Sequence, residues 1–150
     1  RGLYEVVPLG LLSVFDFQEL ELLFSGLQDI DVADWKAHTI YEGELRPGHP
    51  VSRWFFEILL HFDSEQRARL LQYVTGTSRV PVGGFRNLQG DRGLRKAFEL
   101  RGIEGGDAAW PRVHTCFNRL DLPIYTSRRK LREVLTRIIL LEASDAFTIS

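Results

Sequence analysis

The chain of 150 residues holds one cysteine, Cys116, in the run Val113-His114-Thr115-Cys116-Phe117-Asn118. A thiolate is the nucleophilic form of cysteine, and a nearby imidazole favours it. In an extended run side chains alternate, which would place His114 and Cys116 on one face and Thr115 on the other. That pattern suits a reactive, nucleophilic cysteine. The same residues also fit a small buried hydrophobe, the commoner state of a lone cysteine. No separate His–acid pair of protease type can be assembled, because His38, His49 and His61 are scattered. A single cysteine rules out an internal disulfide and leaves no CxxC-type ligand set, so neither metal nor cofactor is expected. The expected setting is intracellular: the cytoplasm, with the nucleus open as well.

Several elements must position these residues. Asp16-Phe17-Gln18-Glu19 starts a helix that Gly26 stops. The short stretch 27–30 fits a hinge better than a long linker. Asp31 caps a brief helix through Trp35, and 41–49 reads as a loop broken by Gly43, Pro47 and Gly48. Pro50 opens a buried helix through His61, with Trp54, Phe55, Ile58, Leu59 and Phe62 at helical spacing. Asp63 and Gln66 form a capping box for a helix whose apolar face is Ala68, Leu70, Leu71 and Val74, ending at Gly76. Residues 78–93 read as irregular, 97–100 and 113–117 as short strands, and 120–123 as a further extended piece. Thr126 or Ser127 caps a last helix carrying Leu131, Val134, Leu135, Ile138 and Ile139, and the tail from Ala143 is expected to be mobile. The sum is an α+β domain preceded by a helical remnant.

Composition narrows the class. A hydrophobic share of 44% with 26% charged residues is that of a globular domain, not a disordered one. No apolar run approaches the roughly 20 residues that span a bilayer. The start lacks a signal-peptide pattern, and the absence of methionine suggests a piece of a larger protein. Residues 1–62 carry four Lys/Arg against ten Asp/Glu, and 63–150 carry fifteen against ten. The basic residues are dispersed and lack interleaved aromatics, so a nucleic-acid partner is not expected. Gly83-Gly84 is followed by no Lys-Ser/Thr at phosphate-loop spacing. Arg128-Arg129-Lys130 sits at a helix start, where positive charge opposes the macrodipole by roughly 0.3–1 kcal/mol each. A solvated face is the expected reading of that cluster, and an acidic partner surface is the alternative.

Three runs together resemble one family. The run Leu70-Leu71-Gln72-Tyr73-Val74-Thr75-Gly76-Thr77-Ser78-Arg79-Val80-Pro81-Val82-Gly83-Gly84-Phe85 resembles the segment preceding the active site in HECT-type ubiquitin-protein ligases. Pro111-Arg112-Val113-His114-Thr115-Cys116-Phe117-Asn118-Arg119-Leu120-Asp121-Leu122-Pro123 is similar to the family's active-site loop, and Glu19-Leu20-Glu21-Leu22-Leu23-Phe24-Ser25-Gly26 to the last helix of its N-terminal lobe. The resemblance implies that 1–26 is the end of that lobe, 27–30 the hinge, and 31–150 the C-terminal lobe, a small mixed sheet with surrounding helices. It implies that Cys116 accepts ubiquitin from a conjugating enzyme, docked mainly on the N-terminal lobe, and passes it to a lysine of a protein substrate. His114, Thr115 and Asn118 become positioning groups. Phe147, fourth from the end of this sequence, resembles a phenylalanine that helps place the acceptor lysine, and, if Ser150 is the native end, its carboxylate would supply the negative charge that relatives draw from a terminal acidic residue. Two other readings stay open: a non-catalytic lobe that binds ubiquitin or a regulator, and a cysteine hydrolase.

Overall fold

A computed structural model describes residues 29–90 and 93–148, with side chains of the last helix described through Leu141. The expected helix from Asp16 to Gly26 lies outside these residues, as does the first half of the expected hinge. The described elements run α1 (Val32–Ala37), β1 (Thr39–Glu42), α2 (Pro50–His61), α3 (Ser64–Thr75), β2 (Phe98–Ile103), β3 (Arg112–His114), β4 (Arg119–Pro123) and α4 (Arg128–Thr148).

Local signals account for most helix starts. Asp31 accepts hydrogen bonds from the Ala33 and Asp34 amides, which α1 would otherwise leave unpaired. Pro50 occupies the first turn of α2, while Nδ1 of His49 accepts from the Val51 amide at 3.0 Å. The capping box of α3 is complete between Asp63 and Gln66, and Gly76 ends the helix in the left-handed conformation at φ 84°. Ser127 caps α4 by accepting from the Lys130 amide at 3.1 Å. Its neighbour Thr126 turns instead to Asp107, donating from its hydroxyl at 2.6 Å and its amide at 2.9 Å.

The four strands form one mixed sheet in the order β1-β2-β4-β3, with β1/β2 and β2/β4 parallel and β3/β4 antiparallel. The fold is α+β, as expected. Central strands with cover on both faces are buried throughout, and β4, between parallel β2 and antiparallel β3, is buried from Leu120 to Pro123. Helices α2 and α3 both pack on α4, and α3 also meets β3 and β4. The core is led by an aromatic cluster. Trp35 stacks on Phe85 with ring centroids 5.0 Å apart and meets Phe98 edge-on at 5.3 Å.

Two segments differ from expectation. The region read as a loop from Tyr41 begins with the last two residues of β1, an edge strand of only four residues whose pairing to β2 supplies the order that its own sequence does not. The tail from Ala143 is helical through Thr148, continuing α4. Ile30, the last residue of the expected hinge, is buried, and its carbonyl accepts from Arg67 Nη1 at 3.3 Å. The same guanidinium closes the C-terminal end of α2 through the Leu59 and Leu60 carbonyls.

The Thr126 hydroxyl and amide hold the Asp107 carboxyl below the usual carboxylate range. A carboxyl with a depressed folded-state pKa adds stability that is present above its unfolded pKa and is lost as pH falls through the folded one. Asp107→Asn is therefore expected to lower the urea midpoint at neutral pH and to match the parent chain in strong acid. Equal midpoints at both pH values would remove any stabilising role for the pair.

Candidate active site

Cys116 is exposed and lies in the middle of a 3₁₀ turn, Thr115–Phe117, that joins β3 to β4. Here the structure corrects the sequence reading. The run 113–117 is not one strand: β3 ends at His114, and the chain then bends. Asn118 closes the bend in the left-handed region at φ 53°, ψ 39°, with its amide donating to the Thr115 carbonyl at 3.2 Å. Asparagine tolerates that conformation better than most residues, although glycine adopts it with less strain. Simple alternation therefore does not relate His114 to Cys116.

His114 has a different partner. Its Nε2 lies 3.1 Å from Oδ2 of Asp121, a residue only 5% exposed in the central strand β4. The other carboxylate oxygen of Asp121 is 3.2 Å from Nε of Arg119, whose guanidinium carbon stands 5.8 Å from the centre of the Phe117 ring. Phe117 and Arg119 thus flank the cysteine turn on one side of this chain of contacts, with Asp121 and His114 following. The His–acid pair that could not be assembled from sequence is present. Its signal was the hairpin register: His114 pairs with Arg119, so Asp121 is the diagonal neighbour on the same face.

Asn118, expected as a positioning group, is fully buried. Its Nδ2 donates to the carbonyls of Gln89 at 3.0 Å and Lys96 at 2.8 Å, tying the segment before β2 to the turn. Its work is to hold the turn from behind. Gly90 completes this support. A Cβ there would stand 2.9 Å from the Cys116 carbonyl oxygen and 2.9 Å from Lys96 Cβ, so only glycine lets the two backbones approach without a shift. Thr115 is exposed beside the thiol. Phe147 lies near the end of α4, and its side chain is outside the described residues.

Asn118→Ala removes both side-chain bonds and leaves a left-handed residue without its amide. The expected loss is on the order of 2–4 kcal/mol, from stranded buried carbonyls and backbone strain together. Urea denaturation measures it. A loss within a few tenths of a kcal/mol would show that the tie does not hold the turn.

The charged cluster at the start of α4 is partly paired within the fold. Arg128 Nη1 lies 3.1 Å from Glu57 Oε1 of α2, and Lys130 Nζ lies 3.9 Å from Glu133. Among the described residues there is no group of His, Cys, Asp and Glu able to hold a metal ion.

These elements define an α+β lobe that presents an exposed thiol on the turn of the β3–β4 hairpin. The chain belongs to the HECT-domain (ubiquitin-transferase) family, whose profile matches residues 1–150. It is similar to the E3 ubiquitin-protein ligase Nedd-4 of Drosophila melanogaster, 45% identical over 148 residues that cover 97% of this chain and 14% of that protein. It is 52% identical over 137 residues to the E3 ubiquitin-protein ligase HECW1 of Homo sapiens, covering 90% of this chain and 8% of that protein. Identity to the E3 ubiquitin-protein ligase NEDD4 of Homo sapiens is 48% over 139 residues, covering 93% and 10%. The chain thus spans at most 14% of these three relatives.

Proposed function

We propose that this chain is the thioester-bearing lobe of a ubiquitin-protein ligase, with Cys116 as the acyl carrier. The observation that carries this reading is the exposed thiol held on a rigid turn in a chain of the HECT family. The Cys116 thiolate attacks the carbonyl carbon of ubiquitin's C-terminal thioester, and the thiolate of the conjugating enzyme leaves. A lysine amine of the substrate then attacks the new thioester, the C–S bond breaks, and an isopeptide bond forms. The first step exchanges one thioester for another, so alignment governs it more than driving force. The second needs a base for the amine proton and donors for the developing oxyanion. His114 supplies the base, and Thr115 offers a hydroxyl and a backbone N–H at the turn. Asn118 acts through the turn it holds, and Phe147 helps place the acceptor lysine.

The partners are ubiquitin, a conjugating enzyme and protein substrates. Residues 1–26 end the larger lobe that docks the conjugating enzyme, 27–30 are the hinge, and 31–150 the cysteine lobe. The place of action is the cytoplasm, and the nucleus as well. No helix among the described residues is long and apolar enough to cross a membrane.

A charging assay tests the reading. The complete ligase is supplied with activating enzyme, conjugating enzyme and fluorescent ubiquitin, and products are resolved with and without thiol reductant. A reducible adduct that discharges to lysine is the expected result. No adduct would favour a binding lobe. Rapid release of free ubiquitin without an acceptor would favour a hydrolase.

A further inference from the structure

Asp121 is a carboxylate in a place where the strand around it is apolar. Its neighbours Leu120 and Leu122 are fully buried, and Asp121 itself is 5% exposed. Burying a charge there is costly unless it is paired and hydrogen-bonded. One oxygen is ion-paired with Arg119 Nε at 3.2 Å without a hydrogen bond between them, and the other is hydrogen-bonded to His114 Nε2 at 3.1 Å. Arg119 alone would neutralise the charge. The second oxygen therefore does something the ion pair does not require: it accepts a proton-bearing nitrogen from an imidazole two residues before the thiol.

A carboxylate that accepts from Nε2–H fixes the neutral imidazole in one tautomer, with the lone pair on Nδ1. We propose that Asp121 is a positioning residue for lysine transfer: by holding the proton of His114 on Nε2, it leaves Nδ1 as the base. This rests on the reading of Cys116 as ubiquitin carrier. In the transfer step the lysine nitrogen bonds to the thioester carbonyl carbon, and the C–S bond breaks with its electron pair leaving on Cys116 sulfur. The proton shed by the lysine nitrogen goes to His114 Nδ1. The resulting imidazolium, now protonated on both nitrogens, is stabilised by the Asp121 carboxylate. It then returns its proton to the thiolate or to water, and the neutral Nε2–H tautomer is restored. Arg119 holds Asp121 in place throughout.

The test uses the complete ligase. First, ¹⁵N imidazole spectra of the parent protein are expected to show His114 as the Nε2–H tautomer; an Nδ1–H tautomer overturns the proposal without any variant. Second, Asp121→Asn and His114→Gln are compared singly and together in single-turnover discharge of preloaded thioester to free lysine. General-base catalysis contributes roughly 10²–10⁴-fold. Asp121→Asn is therefore expected to lower the maximal discharge rate by about ten- to a hundredfold, with half-saturating lysine unchanged. In the His114→Gln background the same substitution is expected to have no further effect, because both act on one proton. Independent, multiplying losses would show that Asp121 is only structural, and so would an unchanged maximal rate in a folded Asp121→Asn protein. Failure of the parent protein to form a reducible adduct would instead remove the reading of Cys116, while the imidazole spectrum would still report the tautomer.

Discussion

Replacing Cys116 with serine is expected to leave a ubiquitin adduct that resists thiol reductant, formed in trace amounts, and no ligation product. The thiolate is the reactive nucleophile and a good leaving group, whereas a serine hydroxyl reacts as the neutral, weakly nucleophilic form. Serine keeps the size of the side chain and the turn, so the Asn118 ties and the hairpin persist. What changes is the nucleophile and the leaving group. Attack by a neutral hydroxyl is slow, and the oxygen ester that forms is a poorer acyl donor to lysine than the thioester. Loss of a nucleophile lowers turnover by several orders of magnitude in enzymes of comparable logic. The measurement is the charging assay on reducing and non-reducing gels. Ligation at the parent rate by Cys116→Ser would remove Cys116 from the mechanism.

The second large effect is on stability. Trp35→Ala is expected to cost about 3–5 kcal/mol. Native domains are stable by only about 5–15 kcal/mol in all, so the variant stands near unfolding at ordinary temperature. Trp35 is wholly buried and touches three rings: it stacks on Phe85 and meets Phe98 and Phe55 edge-on. The contacts join α1, the 3₁₀ turn Phe85–Asn87, β2 and α2, so a cavity there loosens four elements together. Trp35→Phe is expected to be much milder. The indole Nε1 has no hydrogen-bond partner among the described residues, and phenylalanine removes that unpaired donor along with some volume. Urea midpoints of the three proteins measure the difference. A phenylalanine variant as unstable as the alanine one would show that indole volume, not ring contact, holds the cluster.

How much of this was legible depended on the distance over which each feature is decided. The caps at Asp31, Asp63 and Gly76 and the Pro50 start are settled within four residues, and all stand in the structure. The apolar faces of α3 and α4 followed from spacing for the same reason. β1 escaped notice because Thr39–Glu42 is too short to show a period of its own; β2 gives it its identity. The run 113–117 was misread because its alternation stops at a bend that Asn118 imposes from outside the run. The His114–Asp121 contact spans seven residues, and the Asn118 ties span 22 and 29. Only hairpin register and tertiary packing bring these together. Arg128 shows the same limit, since its partner Glu57 is 71 residues away.

The chain contains one cysteine and no methionine, so Cys116 holds its only sulfur atom, on an exposed turn. Oxidation of that atom by peroxide gives a sulfenic acid, which other proteins rescue by condensation with a nearby thiol. Within these 150 residues no second thiol exists to do so. Protection of this sulfur against overoxidation must therefore come from outside these 150 residues, through a small thiol or the thiol of another protein.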